Sequence, residues 1–199
     1  LDAIGPGNGC GVVDELILAR HGESVGNVAA AAAHAAGAEE IVLRHRDPDV
    51  PLSLVGLDQA QALGLGFTPL MDDQSVAVWS SPYVFAVQTA RIAVASSGRD
   101  LPIICDERLR DRGLGVLDLL TREGVARRFP LEARRRQWWG KFYHRPPGGE
   151  SWADVALRLR SFLADLLVIG GAARTPGADQ LSGLAALRSG AGQLRMAVA

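Results

Sequence analysis

The chain has 199 residues, a formal net charge of -1, 48% hydrophobic and 22% charged residues. That balance fits one globular domain with a sizeable core, and it excludes both wholesale disorder and a polyanion binder driven by bulk charge. No apolar run nears the roughly 20 residues of a bilayer span and no basic-then-apolar leader opens the chain, so the expectation is a cytoplasmic protein with no membrane partner.

Residues 1–11, LDAIGPGNGCG, read as a Gly-rich tail, followed by a domain over 12–169. Leu16 to Ala19 is a short apolar run of the kind a buried parallel strand carries, and it ends at Arg20-His21-Gly22. The Ala-rich stretch from Ser24 to about Ala36 predicts a helix. Two prolines make 44–51 a loop, and Ser53 caps a second helix through Gln59 and Leu63. A strand over Val76–Trp79, a helix from about Val84 to Ala95 and a strand over Pro102–Cys105 come next. This order predicts an α/β fold, three layers α/β/α with a mainly parallel sheet. Cys10 and Cys105 fit no disulfide framework and read as unpaired thiols.

From 121 to 149 the composition turns basic and aromatic, with Arg127, Arg128, Lys141 and Arg145 among the cations and Trp138, Trp139, Phe142 and Tyr143 between them. The balanced whole-chain charge argues against a nucleic-acid partner, so this stretch reads as an insertion lying over the sheet's end. Ser151-x-x-Asp154 is a capping-box pattern that opens a long helix, whose buried face would be Trp152, Val155, Leu159, Phe162, Leu163 and Leu166. Residues 170–199 form an Ala/Gly-rich tail in which no strand-like run appears.

The chemistry lies in Arg20-His21-Gly22-Glu23-Ser24. Ligands of an open α/β sheet bind beyond the carboxyl ends of its strands. An imidazole, a guanidinium and the N-terminus of the following helix would meet there. Helix amides and the guanidinium fork both suit a phosphate, and a neutral imidazole can attack phosphorus to give a covalent intermediate. No His, Cys or carboxylate cluster has metal spacing, and no cofactor is called for.

Five segments, LILARHGESVGN (16–27), PLSLVGLDQAQALG (51–64), SSPYVFAVQTA (80–90), DERLRDRGLGVLD (106–118) and PPGGESWADVALRLRSFL (146–163), appear in the order found in one family. On these residues the chain resembles the histidine phosphatase superfamily, in its phosphoglycerate mutase-like branch. The resemblance implies that His21 is the nucleophile that becomes phosphohistidine and that Arg20 binds the phosphoryl oxygens. It puts Ser24 and Asn27 in the same phosphate pocket, and Asp111 at the position of the proton donor, with Glu107 as the alternative acid. The insertion carrying Arg127, Arg128, Lys141 and Arg145 becomes a lid that steers a small phosphorylated substrate.

Two positions depart from the family. Where the resemblance calls for a second phosphate-binding Arg, this chain has Phe85, and Arg91 lies six residues on, on a different helical face. The four histidines are His21, His34, His45 and His144, so no His follows the Ser151 helix, where the family carries a second one on a central strand. The expectation is therefore a sheet incomplete at its C-terminal part, with Leu166–Ile169 as a substitute strand or a reading-frame shift near codon 167. The functional expectation is a phosphomonoester hydrolase of reduced activity. The alternatives are a family member that binds a phosphate ligand without turnover, and a truncated gene product.

Overall fold

A computed structural model describes residues 15–71, 76–168 and 194–198. The expected tail over 1–11, Cys10 and residues 169–193 lie outside the described residues, while Cys105 is a free, exposed thiol. In chain order the elements are β1 (Glu15–Ala19), α1 (Val25–Ala35), α2 (Leu54–Met71), β2 (Ala77–Ser80) and α3 (Val84–Ser96). These are followed by β3 (Ile103–Cys105), α4 (Arg122–Arg128), α5 (Pro130–Tyr143), α6 (Trp152–Val168) and β4 (Leu194–Val198).

The strands form one sheet in the order β1-β4-β2-β3, and every pairing is parallel. Side chains on a strand alternate between faces, and β2 displays the consequence. Val78 joins Ala19, Ala90 and Val94 in a cluster completed by Leu63 and Phe67, so α2 and α3 cover that face. Trp79 turns the other way, packing edge-on against Phe162 at 5.5 Å in a cluster with Leu109, Leu159 and Leu166, so α6 covers the second face. The three-layer α/β/α fold is the expected one.

The central strand is a correction to the reading of the sequence. Residues 194–198 occupy the place between β1 and β2, in register from Glu15↔Leu194 to Ala19↔Val198 on one side and from Ala77↔Arg195 to Ser80↔Val198 on the other. The stretch that displayed no strand-like run thus supplies the middle of the sheet. Leu166–Ile169 does not substitute for it, because α6 remains helical through Val168. The helix start follows expectation: Ser151 Oγ accepts from the Asp154 amide at 3.1 Å and the Asp154 carboxylate accepts from the Ser151 amide at 2.8 Å. One member of the expected buried face differs, since Leu163 is 37% exposed.

Candidate active site

The end of β1 delivers Arg20 and His21 to the carboxyl edge of the sheet, next to the start of α1. Several contacts hold this turn. The Gly22 amide donates to Thr89 Oγ1 at 3.1 Å, and the Thr89 hydroxyl donates to the Phe85 carbonyl at 2.7 Å, which fastens the turn to α3. From the other side, the Ser53 amide donates to the Glu23 carbonyl at 2.8 Å, and the Glu23 amide donates to Gln59 Oε1 at 2.8 Å. This fit is close: a Cβ on Gly22 would stand 2.4 Å from the Gly56 carbonyl oxygen, and one on Gly56 would stand 2.0 Å from that of Glu23. Glycine at both positions lets the start of α2 lie against the turn.

The imidazole is oriented by its own neighbour. His21 Nδ1 lies 2.6 Å from the Gly22 carbonyl oxygen, which can only accept, so Nδ1 carries the proton and Nε2 keeps its lone pair. Burial is the largest influence on the ring and pulls its pKa below 6.5; the Gly22 bond and Asp111 oppose this, while Arg20 adds to it. His21 is therefore neutral at pH 7, the form that acts as a nucleophile.

Arg20, His21, Glu23, Asn27, Ala30 and Gln59 line a cleft of about 410 Å³. Arg20 makes no ion pair among the described residues, so its charge is available to a ligand. Asn27 Oδ1 accepts from the Ser24 amide at 3.0 Å, and Ser24 Oγ accepts from the Asn27 amide at 3.1 Å. Ser24 is 3% exposed and its oxygen is committed to this cap, whereas Asn27 reaches the cleft.

Asp111 is exposed, and its charge acts on His21, Asp47 and Tyr83. Its loop is anchored by Glu150, which takes both Arg110 guanidinium nitrogens at 2.9 and 2.8 Å and the Gly113 amide at 3.0 Å. Arg158 adds a 3.2 Å bond to the Asp111 carbonyl. Burial alone would raise the Glu150 pKa, but the Gly113 amide together with Arg158 and Arg110 brings it below 4.5. Glu107 opens a short 3₁₀ turn, Glu107–Leu109, and is exposed. Partial burial, followed by the charges of Asp118 and Asp111, pushes Asp47 up to about 6.

Phe85 is 6% exposed and lies with its ring centre 4.2 Å from that of His21, with Tyr83 edge-on behind it at 5.6 Å. The side chain in the place of a second phosphate-binding Arg thus packs on the imidazole. Arg91 is exposed. Three of the four cations assigned to the lid are tied to carboxylates. Arg127 pairs with Glu39, Arg128 with Glu39 and Glu40, and Arg145 with Asp154. Lys141 instead lines a second cavity. Reading the sequence gave no role to Gln59, Thr89 or Glu150. Gln59 and Thr89 sit in the motif segments 51–64 and 80–90, which was the one signal that marked them.

Comparison with known proteins identifies the family. The chain belongs to the histidine phosphatase superfamily (branch 1), which it matches over residues 16–172. It is 31% identical over 158 residues to the 2,3-bisphosphoglycerate-dependent phosphoglycerate mutase 2 of Gloeobacter violaceus, covering 77% of this chain and 63% of that one. It is 33% identical over 162 residues to the phosphoglycerate mutase-like protein AT74H of Arabidopsis thaliana, covering 76% and 52%. The chain thus spans less than two thirds of the length of these curated relatives. Among solved structures it is similar to mycobacterial glucosyl-3-phosphoglycerate phosphatase, with a TM-score of 0.60 and 26% identity over 92% of this chain and 73% of that one. The alpha-ribazole phosphatase of Shigella flexneri has the same fold, with a TM-score of 0.58 at 22% identity, covering 92% of this chain and 72% of that one.

Proposed function

We propose that this protein is a phosphomonoesterase acting through a phosphohistidine at His21 on a small phosphorylated molecule. The observation that carries the reading is the Nδ1–Gly22 hydrogen bond of 2.6 Å, which leaves Nε2 unprotonated beside Arg20 in an open cleft. Nε2 attacks phosphorus, the P–O ester bond breaks, and the alcohol leaves with a proton supplied by Asp111. Arg20 and the side-chain Nδ2 of Asn27 stabilise the charge that grows on the phosphoryl oxygens. Water then attacks the phosphohistidine, the P–N bond breaks with its electron pair returning to Nε2, the water proton passes to the Asp111 carboxylate, and inorganic phosphate leaves. Hydrolysis is favoured over mutase chemistry because the His21 cleft is open and a phosphohistidine there is reached by water. A phosphatase with a related fold, the mycobacterial glucosyl-3-phosphoglycerate phosphatase, supports the reaction class.

Phe85 favours a second reading, a phosphate binder with little turnover, because a phenyl ring donates no hydrogen bond to a transferred phosphoryl group. Phosphate release from an aryl phosphate separates the two. Turnover by the wild type that falls by at least about 10³ in His21→Ala, with the melting transition retained, is the expected result. Equal release by the mutant would overturn the phosphohistidine route. No turnover, together with a Tm raised by inorganic phosphate, would select the binder.

A further inference from the structure

A second cavity of about 690 Å³ lies between α4, α5 and the segment 112–121, and it shares no lining residue with the His21 cleft. Arg112, Arg122, Arg136 and Lys141 line it. Glu132 is the one carboxylate on its wall among the described residues, and both of its oxygens are engaged. Oε1 accepts from Arg135 at 2.7 Å and Oε2 bonds His144 Nε2 at 3.1 Å. Arg112 is half-buried and donates to the Glu150 carbonyl at 3.3 Å. Burial first, and the charge of Arg136 second, hold its pKa down against the opposing charges of Asp111 and Glu150. The Arg112 guanidinium and the Lys141 ammonium lie 5.3 and 5.9 Å from the centre of the Trp152 ring. None of Arg112, Arg122, Arg136 and Lys141 is ion-paired with a carboxylate among the described residues, unlike the neighbouring Arg127, Arg128, Arg135 and Arg145.

The contrast within one insertion is informative. A solvated basic face splays its cations into water or pairs them with surface acids. Here four cations line one concavity, two of them share an aromatic ring, and the acid on the wall is already engaged. Like charges brought together in this way repel, and an anion placed between them relieves that repulsion.

We propose that this cavity is an anion site distinct from the His21 cleft, taking a phosphate-bearing small molecule with two or more negative charges. Arg112 and Arg136 supply guanidinium forks and Lys141 a compact charge. Trp152, against two of the four cations, gives the site a fluorescent neighbour, and calorimetry reads binding independently of the other three tryptophans.

The test is a pyrophosphate titration of the full chain, followed by tryptophan fluorescence and calorimetry. Arg20→Gln, which strips the His21 cleft of its guanidinium, should retain saturable binding. Adding Arg136→Gln, at an exposed position whose melting transition checks the fold, should weaken binding by at least about tenfold, as expected for loss of a charged hydrogen bond. Arg136→Lys should recover part of the loss. Binding lost in Arg20→Gln alone would put the anion in the cleft and overturn the proposal. Binding unchanged by Arg136→Gln, or absent altogether, would overturn it as well.

Discussion

At residue 85 a phenyl ring stands against the His21 imidazole, 4.2 Å between centres, and neutralises none of the charge of a bound phosphoryl group. Arg20 is left as the guanidinium of the cleft. Loss of one charge-stabilising donor typically costs 10²–10³ in rate, roughly. Phe85→Arg should therefore raise kcat/KM for an aryl phosphate by about tenfold or more, with some loss of stability because the site is buried. A folded Phe85→Arg protein with unchanged kcat/KM would mean that the position does not face the phosphoryl group. Asp47 supports a second prediction at this scale. Partial burial, then the nearby charges of Asp118 and Asp111, push its carboxyl up to about 6 from 3.8. The folded chain thus holds this proton more tightly than the unfolded chain, so Asp47 adds stability at low pH that is lost as pH rises through 6. Asp47→Asn should raise stability at pH 7.5 by about 1 kcal/mol, discounted for solvent screening of a side chain that stays partly exposed, and the gain should vanish near pH 4. Equal Tm differences at both pH values would refute it. Arg20 and His21 could be placed in advance at the end of β1, because both lie in a short motif directly after an apolar strand. Thr89 and Gln59 could not, since they act only by satisfying the amides of Gly22 and Glu23 from helices far along the chain.

The loop that carries Asp111 has little regular structure of its own, so its position depends on Glu150. This carboxylate takes two nitrogens of Arg110, the Gly113 amide and Arg158 Nε at 3.1 Å. Glu150→Gln leaves two guanidiniums without their charge partner and should cost about 2 kcal/mol at pH 7. Its folded pKa is depressed, so the contribution is present above pH 4.5 and is lost as pH falls through the lower folded value. The Tm difference between Glu150→Gln and wild type should accordingly shrink in acid; a difference independent of pH would assign the loss to packing. The cap at Ser151 was readable in advance because a capping box is a pattern of neighbours. The partners of the insertion's cations were not. Arg127 and Arg128 meet Glu39 and Glu40, 88 or 89 positions away along the chain, so a count of local charges overstated how basic the insertion is.

For the molecule as a whole, the sheet depends on five residues that hardly read as a strand. Leu194-Arg195-Met196-Ala197-Val198 contains one β-branched side chain and an arginine, and intrinsic preference does not select a strand there. The strand state comes from the slot itself. β1 and β2 lie on either side, and β4 pairs with both in parallel register, so extended backbone satisfies amides and carbonyls that would otherwise be lost from two neighbours at once. Met196 is paired with Ile17 on one side and Val78 on the other. Met196→Pro deletes an amide that a strand bordered on both edges must use, and the ring obstructs the neighbouring chain. It should lower stability by about 3 kcal/mol, a large part of the 5–15 kcal/mol, roughly, that a domain possesses. Met196→Leu keeps the amide and nearly the same volume, so its transition should stay within about 1.5 kcal/mol of wild type. Thermal unfolding by circular dichroism distinguishes the two. If Met196→Pro melts with the wild type, residues 194–198 do not hold the centre of the sheet, and β1 and β2 need another partner between them.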